Sequence, residues 1–204
     1  MNYIAIDTSG QNLTIVIQNE NGIFTCYDEN CGVSHSKTLM PETEKLALQA
    51  NFDFNAADFF AVVTGAGSFT GIRIGVSTVK AFCFAFDKPI LAVTSFDTIA
   101  YNVDSGKRLA IINAGHGGFY VAGYDGDAVS LSPRYMLKDE LVSLVGEYEF
   151  LSPAPLPFDI PSRVVSVKDG LIKAVAAKYK NATRDLDSVA PLYVRKSQAE
   201  EGRK

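Results

Sequence analysis

The sequence has no tryptophan, only two histidines and three cysteines among 204 residues, and no surplus of positive charge, since 19 Lys and Arg face 23 Asp and Glu for a net −4. That balance excludes whole-surface attraction to nucleic acid phosphates, which rests on excess Lys and Arg, and leaves only a local basic patch for such a role. His35 and His116 stand far apart in sequence. One helical turn beyond His35 lies Leu39, so the His-x-x-x-His pair that clamps a metal on one helix face is missing. A lone His at a helix start reads as a cap or an exposed polar group. Cys26, Cys31 and Cys83 are odd in number, in a chain long enough to need no disulfide, so a reducing compartment, the cytoplasm, is expected. No thiol or imidazole partner is evident beside Cys26 and Cys31, so zinc is not expected there. No metal and no cofactor are predicted.

Long apolar runs are also missing. The stretch from Ile74 to Phe86 contains Lys80 and falls short of the roughly 20 residues that a membrane-spanning helix needs. The opening Met1-Asn2-Tyr3-Ile4-Ala5-Ile6-Asp7 has no basic lead and is cut early by an acid, so it reads as a first strand and not a signal. No Ser, His and acid set marks a nucleophile, and Ser68 lacks the second glycine of a Gly-x-Ser-x-Gly elbow.

What is present is an ordinary globular balance, 47% hydrophobic and 21% charged. Residues 3–7, 13–17 and 23–27 read as strands joined by Ser9-Gly10-Gln11-Asn12 and by Asn21-Gly22, a three-stranded antiparallel meander. A helix is predicted over about 34–50, where Leu39, Thr43, Leu46 and Ala50 recur at helical spacing. Pro41 should either start or kink it. Buried strands at 59–63 and 89–93 flank a helix over 69–86, so parallel strands extend the meander into a mixed sheet. After the polar break from Asn102 to Lys107 the pattern starts again, with strands at 109–113 and 119–124, a turn at Asp125-Gly126 and a last helix over about 168–179. Residues 152–161 hold four of the eight prolines and read as an extended surface loop. The expected fold is a two-lobed α/β architecture, with lobes at 1–101 and 102–204.

The glycine run is Gly65-Ala66-Gly67-Ser68-Phe69-Thr70-Gly71-Ile72-Arg73-Ile74-Gly75. A strand-to-helix turn of this kind suits an anion, because free backbone N–H groups and the helix dipole point at it. Its third glycine comes one position too late for the dinucleotide fingerprint, and no Gly-Lys-Ser/Thr follows. Tight packing of strand, helix and a neighbour is the competing reading. The helix behind it is apolar nearly all round: Ile72, Val76, Val79, Cys83 and Phe86 form one stripe, and Ala81, Phe82 and Ala85 cover adjoining angles. A helix on one sheet face needs a single stripe, so the surplus must meet the preceding helix, the second lobe or another chain. Asp7-Thr8-Ser9-Gly10 resembles the phosphate turn of actin-like and hexokinase-like ATPases, and it is equally an ordinary hairpin turn.

Together, Ala-Ile-Asp-Thr-Ser at the start, His35-Ser36-Lys37-Thr38-Leu39-Met40-Pro41, the glycine run and Pro191-Leu192-Tyr193-Val194-Arg195 resemble the TsaB (YeaZ) family. The resemblance implies an actin-like/RNase H-like pair of lobes and a part in making threonylcarbamoyladenosine at position 37 of transfer RNA. It further implies an inactive relative of TsaD that pairs with TsaD through its N-terminal lobe and helps recruit TsaE. Without TsaD, the apolar helix surface is expected to self-associate as a two-fold homodimer. Leu39 in place of a second histidine agrees with inactivity. On this resemblance the partner seam is expected at Leu39, Leu46, Ile72, Arg73, Val76, Val79 and Cys83, and the family's glycine-loop motif at Gly65, Gly67, Ser68, Phe69, Thr70 and Gly71. Ala66 departs from the family's proline, and Asn113-Ala114-Gly115-His116 stands where an Asp-Ala-Arg-like segment is usual; the second lobe is expected to be abbreviated. The competing expectation is a small ATPase or sugar-kinase-like enzyme that uses Asp7 and the Gly65 to Gly71 loop on phosphates.

Overall fold

The computed structural model describes residues 1–29, 31 and 34–195. The chain divides into two compact units, Met1–Thr94 with Val175–Leu192, and Ser95–Ala174 with residues 193–195. The expected boundary at 101 therefore lies at 94, and residues 175–192 of the expected second lobe belong to the first unit. Residues 196–204, also assigned to that lobe, lie outside the described residues.

The first unit opens with β1 (Tyr3–Asp7), β2 (Leu13–Asn19) and β3 (Gly22–Asp28). Then come α1 (His35–Ala50), β4 (Phe59–Val63), α2 (Phe69–Phe86) and β5 (Ile90–Val93). The sheet order is β3-β2-β1-β4-β5, an antiparallel meander extended by two parallel strands. The pleat sends alternate residues to one face. Ile4 and Ile6 pair with Ile17 and Ile15 on one side and with Phe60 and Val62 on the other. These apolar side chains share one core with Leu39, Leu46, Ala47 and Ala50 of α1 and with Ile72, Val76, Val79, Phe82 and Cys83 of α2. Fully burying an aliphatic side chain of this size contributes roughly 1.5–3 kcal/mol, so the two helices are held chiefly by this stripe. Pro41 sits inside α1; it neither starts nor ends the helix, whose bounds lie elsewhere. Asn51 ends α1 in the left-handed conformation and returns its N–H to the Ala47 and Leu48 carbonyls.

The second unit contains α3 (Ser95–Ala100), β6 (Lys107–Gly115), β7 (Gly118–Asp125), β8 (Ala128–Leu137), α4 (Lys138–Val142), β9 (Glu149–Ser152) and β10 (Arg163–Val164). Its sheet order, β10-β9-β6-β7-β8, repeats the first: a meander of β6, β7 and β8 followed by parallel β9 and β10. The abbreviation is local. Where the first sheet crosses from β4 to β5 through an 18-residue helix, the second crosses from β9 to β10 through the proline-rich stretch. Leu156, Phe158 and Ile160 of that stretch pack on the core of Leu109, Ile111, Phe119, Val121, Leu141 and Phe150. Prolines keep the crossover extended, so side chains and not a helix cover that face. Buried Arg108 donates to the carbonyls of Ala100, Val103 and Gly126, tying α3 to the β7–β8 turn. The last helix, α5 (Val167–Lys178), carries the chain out of this unit.

Candidate functional site

Two segments singled out by sequence meet at the end of β1. Thr8 donates its hydroxyl to the Gly71 carbonyl at 2.7 Å, and the Ser68 N–H donates to the Ser9 carbonyl at 2.6 Å. A Cβ at Gly67 would lie 2.1 Å from the Ser9 oxygen, one at Gly71 would lie 2.0 Å from the Thr8 oxygen, and one at Gly75 would lie 2.5 Å from Thr8 Oγ1. Such separations are far inside van der Waals contact, so only glycine lets α2 lie this close to the turn. The glycines recur every four residues, Gly67 just before the N-cap and Gly71 and Gly75 on α2, and together receive Thr8 and Ser9.

This geometry favours the packing reading of the loop. An anion cradle needs unoccupied amides at the helix start. Here the Ser68 N–H goes to Ser9, and Ser68 Oγ caps α2 by accepting from the Gly71 N–H at 3.2 Å. The Asp7-Thr8-Ser9-Gly10 turn lies against the loop and accepts the Ser68 N–H, so the loop acts as a packing joint.

Asp7 is 5% exposed and accepts the Ser9 N–H at 2.8 Å. Burial pushes its carboxyl above the ordinary range, opposed by its hydrogen bonds with Ser9 and by the charge of His35. A carboxyl whose folded value is raised favours the folded state below its unfolded value, near 4, and loses that contribution as pH rises through the folded value. Asp7→Asn is therefore expected to raise Tm at pH 7, with the gain shrinking toward pH 4. Thermal melts across that range check it; equal gains at both ends would refute the burial cost.

His35 is not the cap or exposed group expected from sequence. It is 1% exposed, with Nε2 3.0 Å from the Gly10 carbonyl oxygen and Nδ1 3.5 Å from Cys31 Sγ. Cys31 therefore does have an imidazole beside it, an i to i+4 relation that the sequence reading overlooked. Burial pushes the Cys31 thiol up, away from the reactive thiolate. Among the described residues no set of three His, Cys, Asp or Glu is gathered to hold a metal.

The predicted seam residues need correction. Leu39, Leu46, Ile72, Val76, Val79 and Cys83 are at most 5% exposed and belong to the core of the first unit. The sheet face requires two helical stripes to cover it, and these are those stripes. Arg73 is exposed, its guanidinium 3.8 Å from the centre of the Phe69 ring. The surplus apolar surface lies elsewhere. Phe82 and Phe86 are met by Phe54, in ring contacts at 5.6 and 5.2 Å. Between α1 and α2 runs an apolar groove of about 530 Å³, walled by Met40, Leu48, Phe52, Phe54, Phe82 and Phe86. Leu48 is 76% exposed, and Phe84 on the outer side of α2 is 84% exposed. Both helix periods were legible, but which flank stays open depends on Phe54, which lies in a short 3-10 turn before β4.

Residues 27–144, more than half of the chain, match the family model for TsaD, tRNA N6-adenosine threonylcarbamoyltransferase. The chain belongs to this family, in its TsaB (YeaZ) branch. The tRNA threonylcarbamoyladenosine biosynthesis protein TsaB of Bacillus subtilis is 34% identical over 102 residues, 50% of this chain and 44% of that protein. The TsaB protein of Escherichia coli is 26% identical over 150 residues, 70% of this chain and 64% of that protein. The match thus spans between about two fifths and two thirds of these curated relatives. A solved Pseudomonas aeruginosa structure described as similar to peptidase YEAZ superposes with a TM-score of 0.75 at 20% identity, covering 95% of this chain and 99% of that one. That likeness and the two mixed sheets place the chain in the actin-like/RNase H-like fold. Two TsaB-like motifs far apart in sequence, the glycine run and Pro191-Leu192, meet in space: a Cβ at Gly65 would lie 2.6 Å from the Leu192 carbonyl oxygen, and the Leu192 N–H donates to the carbonyl of Thr64, just before the run, at 2.7 Å.

Proposed function

We propose that this chain is a non-catalytic docking subunit that pairs with a TsaD-type threonylcarbamoyltransferase through α1 and α2. It would help assemble the complex with the ATPase TsaE that forms N6-threonylcarbamoyladenosine at position 37 of transfer RNA in the cytoplasm. The observation that carries this reading is the open apolar groove between α1 and α2, walled in part by the exposed Leu48, with a second exposed apolar residue, Phe84, on the outer side of α2. Large apolar side chains left in water beside a groove are the usual mark of a partner surface. The core residues named from sequence do not touch the partner in this reading; they hold the two helices at the spacing that forms the groove. Without the TsaD-type subunit the same surface is expected to pair with a second copy about a two-fold axis. The packing joint supports the non-catalytic part, because two of the amides that an ATPase would offer to phosphates, those of Ser68 and Gly71, are engaged by Ser9 and Ser68.

The test is reconstitution. Purified chain, the TsaD-type subunit and TsaE from the same host are combined with transfer RNA, and threonylcarbamoyladenosine is quantified by mass spectrometry. Product is expected only when this chain is present, and the chain alone should show no heat of binding with ATP and magnesium in calorimetry. Full product without it would refute the role. Stoichiometric ATP binding by the isolated chain would favour the kinase-like alternative built on Asp7.

A further inference from the structure

We propose that residues 183–192 form a strap that holds α2 at both of its ends and thereby sets the geometry of the docking groove. The proposal rests on the docking reading above and adds positioning residues that touch neither the groove nor the glycine loop's Thr8 joint.

The strap begins at the C-terminal end of α2. Thr183 and Ile90 exchange both backbone hydrogen bonds, at 2.8 and 2.9 Å, and so pair with the start of β5. Arg184 Nη1 then reaches Asp87, 2.8 Å from its carboxylate and 3.3 Å from its carbonyl oxygen. Asp87 is the residue that ends α2, in the left-handed conformation with φ of 50°. The middle of the strap is stiffened locally, since the Asp185 carboxylate accepts the N–H groups of Asp187 and Ser188. Val189 is 5% exposed in the core that α1 and α2 share. The strap finishes at the other end of α2. Leu192 donates its N–H to Thr64, and a Cβ at Gly65 would lie 2.6 Å from the Leu192 carbonyl oxygen and 2.8 Å from Ile72 Cδ1. The peptide group of Leu192 is therefore seated on the loop that launches α2, against the first core residue of the helix.

None of these strap residues walls the groove, so any effect on docking must pass through the placement of α2. Coupling of this kind is reciprocal: whatever strap seating adds to docking, docking adds to strap seating. The two anchors differ in strength. The Arg184 and Asp87 side chains are 64% and 92% exposed, and exposed ion pairs contribute little. The Leu192 bond ends on Thr64, which is 5% exposed, and removing a donor from a buried carbonyl is costly.

Hydrogen exchange by NMR on the full chain tests this. Leu192→Pro, which removes the N–H, and Gly65→Ala, which displaces the Leu192 carbonyl, should each speed exchange at Gly71 and Ile72 by about tenfold or more, with Val121 in the second unit unchanged. Arg184→Ala should speed Lys88 and Ile90 by about two- to fivefold, and Arg184→Lys should restore them. Arg184→Ala alters only exposed groups, so it keeps the test open if the other variants fail to fold. Titration with the TsaD-type subunit should then show weaker docking in the same rank order, and its addition to the wild-type chain should slow exchange at Leu192. Unchanged exchange in all variants overturns the strap. Faster exchange with unchanged docking overturns its role in positioning. No binding by the wild-type chain overturns the docking reading and that role with it, while the exchange result still reports on the strap itself.

Discussion

Gly71→Ala is expected to destabilise the first unit by about 3 kcal/mol or more, because the new methyl would lie 2.0 Å from the Thr8 carbonyl oxygen. The clash is with the Thr8 backbone, so no rotamer change relieves it. Helix α2 would have to move off the Asp7-Thr8-Ser9-Gly10 turn, breaking the Thr8 hydroxyl bond to Gly71 and the Ser68 bond to Ser9. For a chain of this length that corresponds to a fall in Tm of roughly 6–12 °C. Gly10→Ala is the control, since a Cβ there meets nothing closer than 4.0 Å, and its effect should stay within about 0.5 kcal/mol. Differential scanning calorimetry on both variants distinguishes a packing joint from a loop kept open for a ligand: in an open loop the two substitutions would cost similar, small amounts.

The second large effect is expected on association. Leu48→Glu and Phe84→Glu each put a carboxylate on an exposed apolar position without disturbing the core. Folding stability should change by no more than about 0.5 kcal/mol. Docking should weaken by about a hundredfold for Leu48→Glu, the scale of losing a central anchor residue and leaving a charge in an apolar contact. Phe84→Glu lies on the outer side of α2, and a smaller loss there would show that the partner sits chiefly over the groove. The opposite ranking would move the seam to the outer side of the helix.

The sequence carried most of the first unit because its signals are local. The alternation in β1 and β2, the Asn21-Gly22 turn and the four- and three-residue steps of Leu39, Thr43 and Leu46 each depend on neighbours a few positions away. Strand β8 gave no such signal, since nearly all of its residues are exposed or half-buried, Pro133 interrupts it, and its pairing with β7 shifts register around Gly123. Helix α3, buried along its whole length, showed no polar face to mark a period. The site divides in the same way. The glycine spacing revealed that the loop fits neither phosphate fingerprint, but only the fold shows Thr8 and Ser9 filling it. The expected seam residues face the sheet for a related reason: a helical stripe reads identically whether it faces its own sheet or a partner. The choice between them was made by β1, β2 and β4, whose shared apolar face takes both stripes.

The central claim, that the α1–α2 surface is a partner-docking site, is tested most directly by titrating the purified chain into the TsaD-type subunit of the same host and following complex formation by sedimentation velocity. A one-to-one complex is expected with the wild-type chain, and Leu48→Glu, folded to the same degree, should require about a hundredfold higher concentration to form it. Equal binding by the two chains, or no complex with the wild type, would contradict the account.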